Sequence, residues 1–240
     1  MKVKFFPTIE LIDRDAIQGS ITVVIDVLRS SSTIISALEN GARSVIPVAD
    51  IETASRIVKD EDRPIKLLAG ERKGDRIAGF DLGNSPLEFT KEKVSGKIIV
   101  MSTSNGTRAL ATIPRARKVY VCALINLSSV IERIKNEGEV SIVCCGDEGN
   151  LSAEDLLCGG MILESLSSRI DEGSLNDSAM IAKILAREES DQIEEFLLRT
   201  DRGRVLKEKG FVEDIAYCSK IDRSPIVPVL SDGSVVRIEE

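Results

Sequence analysis

Two periodicities alternate along the first half of the chain. Short apolar runs stand at Ile21–Ile25, Ser44–Val48, Lys66–Leu68, Lys97–Met101, Lys118–Cys122 and Val140–Cys144. Runs of this kind bounded by turn-forming residues predict buried strands. Between several of them the apolar positions switch to helical spacing. Ile51, Ala54 and Val58 follow i, i+3, i+7, and Leu127, Val130, Ile131 and Ile134 follow i, i+3, i+4, i+7. Gly41 and Gly138 stand where helix C-caps belong. Near-continuous apolar strands alternating with amphipathic helices describe a sheet covered on both faces. The predicted class is α/β: a three-layer α/β/α architecture with a mostly parallel, mixed sheet.

The texture changes after Gly149. Residues 152–217 are mostly helical in pattern, including Ser152–Ser168, Asp177–Arg187 and Asp191–Leu198. Residues 226–238 have the pattern of a hairpin, with its turn at Ser231-Asp-Gly. Pro228 lacks an N–H, which predicts an edge position for its strand. No internal repeat, low-complexity segment or linker interrupts the chain. A single domain over residues 1–240 is expected, with residues 170–210 set apart at most as a helical subdomain.

Composition narrows the chemistry. The chain has 240 residues, 42% of them hydrophobic and 30% charged, as in globular proteins. It has no apolar run of the roughly 18–20 residues that a membrane span needs. No secretory signal is visible, so a cytoplasmic protein is expected. There are no histidines, which excludes Ser-His-Asp triads, phosphohistidine chemistry and His-ligated zinc. Acid–base work then falls to carboxylates, Lys, Tyr, Cys or a metal-bound water. With no Trp, 3% aromatics and a net charge of −7, neither base stacking nor general nucleic-acid affinity is expected. The five cysteines form no CxxC pair, and none has an Arg six residues on. Reduced, mostly buried thiols are expected.

Ligands in open α/β sheets bind beyond the carboxyl ends of the parallel strands, and four such places carry unusual polar residues. In Ile25-Asp-Val-Leu-Arg-Ser-Ser-Ser-Thr33, Asp26 ends an apolar strand, where a carboxylate is costly unless paired or holding a cation. Either an Asp26–Arg29 pair with a serine cap or a metal or phosphate site explains it. The DxD pattern of haloacid dehalogenases fails at Leu28. Residues 68–86 mix four glycines with Arg72, Lys73, Arg76, Glu71, Asp75 and Asp81, the pattern of an ion-binding loop or of a solvated one. Ser102-Thr-Ser-Asn-Gly-Thr-Arg108 leads from a strand into a helix, an arrangement suited to phosphate. It is not a Walker A loop, and no GxGxxG occurs. The fourth place, Cys144–Leu156, holds Glu154 and Asp155 in the first turn of a helix that a Ser152–Asp155 capping box opens. Asn126 follows a further strand.

Together these segments resemble the 2-phosphosulfolactate phosphatase family. The signatures are Val24-Ile-Asp-Val-Leu-Arg29, Ala69-Gly-Glu-Arg72, Gly79-Phe-Asp-Leu-Gly-Asn-Ser-Pro86, Ser104-Asn-Gly-Thr-Arg-Ala109 and Ser152-x-Glu-Asp155, with Gly210–Asp214 and Val227-Pro228 also similar. The chain departs from the expected Thr-Thr-Asn-Gly-Thr loop at Ser104 and has Ser30-Ser-Ser32 where Ala-Thr-Thr is typical, keeping hydroxyls in both places. The resemblance implies a Mg²⁺-dependent phosphatase that converts 2-phospho-3-sulfolactate to 3-sulfolactate and phosphate, in the route to coenzyme M. Two other readings stand beside it: a phosphatase of another small phosphorylated hydroxy acid, and a phosphoester-binding module without turnover. The carboxylates favour an enzyme, because anion binding alone selects against them.

The expected site has Asp26, Arg29 and Glu71 in catalysis, with Asp26 either nucleophile or metal ligand. Arg72, Asn84, Ser85, Ser104, Asn105, Gly106, Thr107 and Asn126 are the expected substrate contacts, with Arg29 and Arg72 reading the anionic groups. Mg²⁺ is expected among Asp26, Glu71, Asp81, Glu154 and Asp155. The expected partner is a small anionic phosphorylated substrate, with no nucleic acid and no membrane; a homo-oligomer is left open.

Overall fold

The computed structural model describes residues 1–59, 64–113 and 116–238. Ten strands are present among them: β1 (Lys2–Phe6), β2 (Ile21–Ile25), β3 (Ser44–Pro47), β4 (Lys66–Arg72), β5 (Asp75–Arg76), β6 (Ile98–Ser102), β7 (Lys118–Cys122), β8 (Glu139–Cys144), β9 (Pro228–Ser231) and β10 (Ser234–Arg237). The helices are α1 (Arg14–Ile17), α2 (Ser30–Glu39), α3 (Ile51–Ile57), α4 (Lys91–Val94), α5 (Gly106–Thr112), α6 (Leu127–Ile134), α7 (Ala153–Ser165), α8 (Asp177–Glu189), α9 (Ile193–Arg199), α10 (Asp201–Glu208) and α11 (Val212–Cys218). The α/β class and the mostly parallel mixed sheet are as the pattern predicts.

The sheet order is β1-β8-β2-β7-β9-β10-β3-β6-β4-β5. β1, β8, β2 and β7 are mutually parallel, as are β3, β6 and β4. The C-terminal hairpin β9–β10 lies between these blocks and is antiparallel to its neighbour on each side. The hairpin is therefore central, not at an edge as Pro228 suggests. Pro228 is the first residue of β9, in register with Arg237 of β10, and the β7–β9 ladder pairs only Val229 and Leu230, so the missing N–H falls where the strand begins. The turn Asp232-Gly233 has positive φ at both residues, the geometry of a two-residue hairpin.

Three antiparallel steps separate β7 from β3, so the two parallel blocks run in opposite directions. Strand twist of about 20–25° per step accumulates past a right angle between β2 and β6. The segments that follow β2 and β6 meet through a hydrogen bond between Ser30 and Thr103. Side chains alternate between the two faces of β2: Ile21, Val23 and Ile25 join α6, α7 and α8 in one core, while Val24 joins α2 and α5 in another. The residues of α8–α11 share the first of these cores, through Ala179, Ala182, Phe196, Leu206 and Ile215. All five cysteines are free and buried. Burial raises the Cys144 and Cys145 thiols well above their ordinary range and pushes Cys218 up to about 12, so these thiols serve packing rather than nucleophilic chemistry. No helix among the described residues is long and apolar enough to cross a membrane.

Candidate active site

The strand ends place the acidic residues. Asp26 directly follows β2, and its Oδ1 accepts from the Ser30 N–H at 3.0 Å, which starts α2. Thr103 follows β6, and the Ser30 hydroxyl donates to Thr103 Oγ1 at 2.9 Å, joining the two opposed blocks. Gly106 opens α5 against Asp26: a Cβ at this position would lie 2.5 Å from Asp26 Oδ2 and 2.5 Å from Ser30 Cβ. Glycine is required there by closeness, not by backbone angle. Ser152 caps α7 by accepting from the Asp155 N–H at 3.3 Å. Asp155 Oδ1 accepts from the Val27 N–H at 2.8 Å and its Oδ2 from the Gly146 N–H at 3.3 Å, tying the ends of β2 and β8 together.

Three carboxylates are thus buried side by side: Asp26, Glu154 and Asp155 are 7%, 3% and 2% exposed. Burial raises all three above their ordinary values. The Asp26 charge adds to the rise at both Glu154 and Asp155, while Ser30 and Arg202 moderate it at Asp26. Like charges desolvated together in this way favour uptake of a proton at one or more of the three carboxyls.

Glu71 is different. Burial opposes its charge, but the Ser104 N–H, Arg202 and the Gly74 N–H outweigh it and hold this carboxyl below its usual range. The contacts are 2.9 Å from Ser104, 2.7 Å from Gly74 and 3.2 Å from Arg202 Nη2. Glu71 is placed by β4, whose Gly70 pairs with Ser102 of β6; a Cβ on Gly70 would stand 2.0 Å from the Ser102 carbonyl oxygen. Arg72 is spent on the same joint, donating to the Glu71 carbonyl at 2.7 Å and to the Ser102 carbonyl and hydroxyl at 3.1 and 2.9 Å.

Arg29 does not pair with Asp26. It is 1% exposed, with Nη1 on Asp214 at 2.5 Å, Nη2 on the Gly74 carbonyl at 3.1 Å and the Phe211 ring 4.3 Å from its guanidinium carbon. Ser85 donates to the other Asp214 oxygen at 2.6 Å. Asn84 is buried, its carbonyl held by Thr33 at 2.9 Å while its side-chain Oδ1 has no partner among the described residues. Arg29 and Ser85 therefore clasp α11 to the start of α2, and Arg29 faces no solvent from which a substrate would come.

The remaining expected residues divide. Asn105 donates to Asp147 at 2.9 Å and accepts from the Glu148 N–H at 3.3 Å, at the edge of the acidic cluster. Thr107 is internal: its hydroxyl accepts from the Thr103 N–H at 2.7 Å and donates to the Val48 carbonyl at 3.0 Å. Asn126 is wholly buried, bonded to Ala123, Val121 and Ile226, and holds a loop together. Asp81 is exposed and accepts from the Leu68 N–H at 2.8 Å, on the β4 backbone. A cavity of about 210 Å³ opens at the acidic cluster, lined by Asp147, Asn150, Ser152, Glu154, Asp201 and Arg202 among others. A larger cleft of about 740 Å³ lies at the far end of the molecule, by the amino ends of β1, β2 and β8.

Arg202 and Asp214 are the residues that sequence reasoning leaves out of the site. Asp214 stands in the Gly210–Asp214 segment that carries part of the resemblance, so a signal for it exists. Arg202 stands in Asp201-Arg-Gly-Arg204, a charged stretch that matches any solvated helix.

Comparison with known proteins supplies first a class and then a family. A protein of Caldanaerobacter subterraneus subsp. tengcongensis is 42% identical over 224 residues, covering 93% of this chain and 92% of its own. One of Clostridium perfringens strain SM101 is 40% identical over 243 residues, covering 100% and 97%. One of Thermotoga maritima is 40% identical over 211 residues, covering 88% and 89%. Each carries the name "Probable 2-phosphosulfolactate phosphatase". The class is thus that of the phosphoric monoester hydrolases. A family model described as 2-phosphosulpholactate phosphatase matches residues 6–233, and the chain belongs to that family.

Proposed function

We propose that this protein hydrolyses 2-phospho-3-sulfolactate to 3-sulfolactate and phosphate with Mg²⁺, supplying a step in the route to coenzyme M. The observation that carries the reading is the buried carboxylate cluster, in which Asp26 packs against Gly106 and Glu154 lines a small cavity. The relatives' names supply the substrate.

The donor set fits a hard divalent cation. Among the described residues no group of three or more acidic or thiol side chains is arranged to hold a metal alone. Mg²⁺ is commonly held by one or two carboxylates and completes its shell with water and phosphate oxygens. Asp26 and Glu154 would hold it, with Asp155, whose two oxygens each accept a backbone N–H, beside them. Bound there, the metal would offset charge on the phosphoryl group.

The chain's own groups do the rest. In the 103–107 loop, the Ser104 N–H goes to Glu71 and the Thr107 N–H to Thr103 Oγ1, at 2.9 and 3.1 Å. The N–H groups of Asn105 and Gly106 have no acceptor among the described residues and would take phosphate oxygens. Glu71, held ionised, fixes the loop's position. A phosphate-release assay over a panel of phosphorylated hydroxy acids, with and without Mg²⁺, tests the reading. Release from the sulfolactate ester that exceeds the others and needs Mg²⁺ is expected; faster release from a different ester moves the substrate, and no release from any ester refutes the phosphatase reading.

A further inference from the structure

An acidic cavity that takes an anionic ester needs a cation of its own besides a metal, and most of the arginines near the site are already committed. Arg29 is sealed from solvent and bonded to Asp214 and Gly74. Arg72 is bonded to Glu71 and Ser102 backbone. Arg108 is 41% exposed and donates to Glu10 at 2.6 Å. Arg76 stands on the exposed β5.

Arg202 is placed differently. It is 9% exposed, projects from α10 and lines the cavity beside Glu154 and Ser152. Of its five guanidinium N–H groups, only one on Nη2 has a protein acceptor among the described residues, Glu71 Oε2 at 3.2 Å. The neighbouring Asp201 is turned to Arg204. The Thr200 hydroxyl, which starts α10, accepts from the Gly203 N–H at 3.1 Å, so the side chain is delivered from a capped helix end. Its charge reaches both Asp26 and Glu71, favouring the ionised form of each.

We infer that Arg202 is a substrate-contacting residue whose unspent guanidinium donors take oxygens of the phosphoryl group in this cavity, while Glu71 fixes the guanidinium's orientation. The inference rests on the phosphatase reading for its substrate and adds the residue that recognises it. A planar guanidinium keeps one N–H on Glu71 and presents others as a fork; an ammonium of equal charge cannot present that fork.

The test compares parent, Arg202→Lys and Arg202→Ala. Three quantities are measured: thermal melting, binding of inorganic phosphate by calorimetry in Mg²⁺, and phosphate release from the ester the parent turns over. Arg202→Lys keeps a cation near Glu71 and should melt like the parent while kcat/KM falls about tenfold or more. Arg202→Ala should lose phosphate binding and about 100-fold or more in kcat/KM. Guanidinium ion at millimolar concentration should restore part of that turnover and leave the parent unchanged. Parental phosphate affinity in folded Arg202→Ala overturns the inference, as does lost turnover that guanidinium does not restore, since Arg202 then serves only to hold Glu71. If Arg202→Ala does not fold, Arg202→Lys decides: parental affinity and kcat/KM overturn the inference. A parent that binds phosphate through Arg202 yet releases none from any ester overturns the phosphatase reading and keeps Arg202 as an anion contact.

Discussion

Gly106→Ala adds a single methyl group at the closest approach in the site. The residue opens α5 and lies outside the left-handed region, so its backbone accepts alanine. Without neighbours, Ala would stabilise the protein by about 0.4–1 kcal/mol. The neighbours reverse the sign. The new Cβ would meet Asp26 Oδ2 and Ser30 Cβ at 2.5 Å and Ser30 Oγ at 2.9 Å. Ordinary contact begins near 3.4 Å, so Asp26 or α5 must yield by about 0.9 Å in a closely packed interior. Overpacking of this kind costs about 1–3 kcal/mol. The net loss of up to about 2.5 kcal/mol lowers Tm by several degrees, at about 2–4 °C per kcal/mol. A displacement near 1 Å at the reacting groups costs about 100-fold in rate. The assay is phosphate release at saturating ester and Mg²⁺, with thermal melting of the same samples. A folded Gly106→Ala protein with unchanged or raised Tm and kcat within about threefold of the parent refutes the packing of Asp26 on the 103–107 loop.

Three further outcomes follow from the same contacts. Asp214→Ala strands Arg29 as a buried unpaired cation; it should cost about 3–5 kcal/mol, or about 6–20 °C in Tm, and a smaller shift than this shows that the clasp on α11 is dispensable. Asn126→Ala removes the side-chain acceptor of the Ala123 N–H and the side-chain donor to the Val121 and Ile226 carbonyls. It should lower stability by about 1–3 kcal/mol for each group that finds no replacement while leaving kcat unchanged; a selective fall in kcat would place Asn126 on the substrate after all. The pH dependence of stability has a definite sign. Carboxyls raised in the folded state bind more protons there than in the unfolded chain, so Asp26, Glu154 and Asp155 make the metal-free protein lose stability as pH rises from their unfolded values through the raised ones. Glu71, which is depressed, contributes stability above its unfolded value that is lost as pH falls through the depressed one. Metal-free Tm should therefore fall between mildly acidic and neutral pH, and Mg²⁺ should restore it at neutral pH; a Tm that climbs over this interval without metal contradicts the cluster's electrostatics.

Much of the site is legible in the sequence because strand ends are. Asp26, Glu71, Ser104, Gly106 and the Glu154-Asp155 pair each follow an apolar run whose end the pattern locates, and the fold brings those ends together. What is not legible depends on contacts distant in sequence. Arg29 looks available to Asp26 three residues away, but its partner is 185 residues on, at Asp214. Arg202 carries no local pattern, because its meaning comes only from where α10 lies against Glu71. Pro228 marks an edge strand by its missing N–H, yet it stands at the first position of β9, where a central strand also tolerates proline. Asn126 and Thr107 have polar side chains at strand ends, as substrate contacts do, but their hydrogen bonds close the backbone of their own loops.

Asp26 at the end of β2, buried with Glu154 and Asp155 of α7, would make this a metal-assisted phosphatase. Phosphate release from 2-phospho-3-sulfolactate, titrated with Mg²⁺ for the parent and Asp26→Asn, tests it most directly. Turnover by the parent should vanish without Mg²⁺, and Asp26→Asn should show none at any Mg²⁺ concentration, with a melting temperature at or above that of the metal-free parent because a desolvated buried charge has been removed. Near-parental turnover by Asp26→Asn at the same Mg²⁺ requirement, or parental turnover that ignores Mg²⁺, would contradict it.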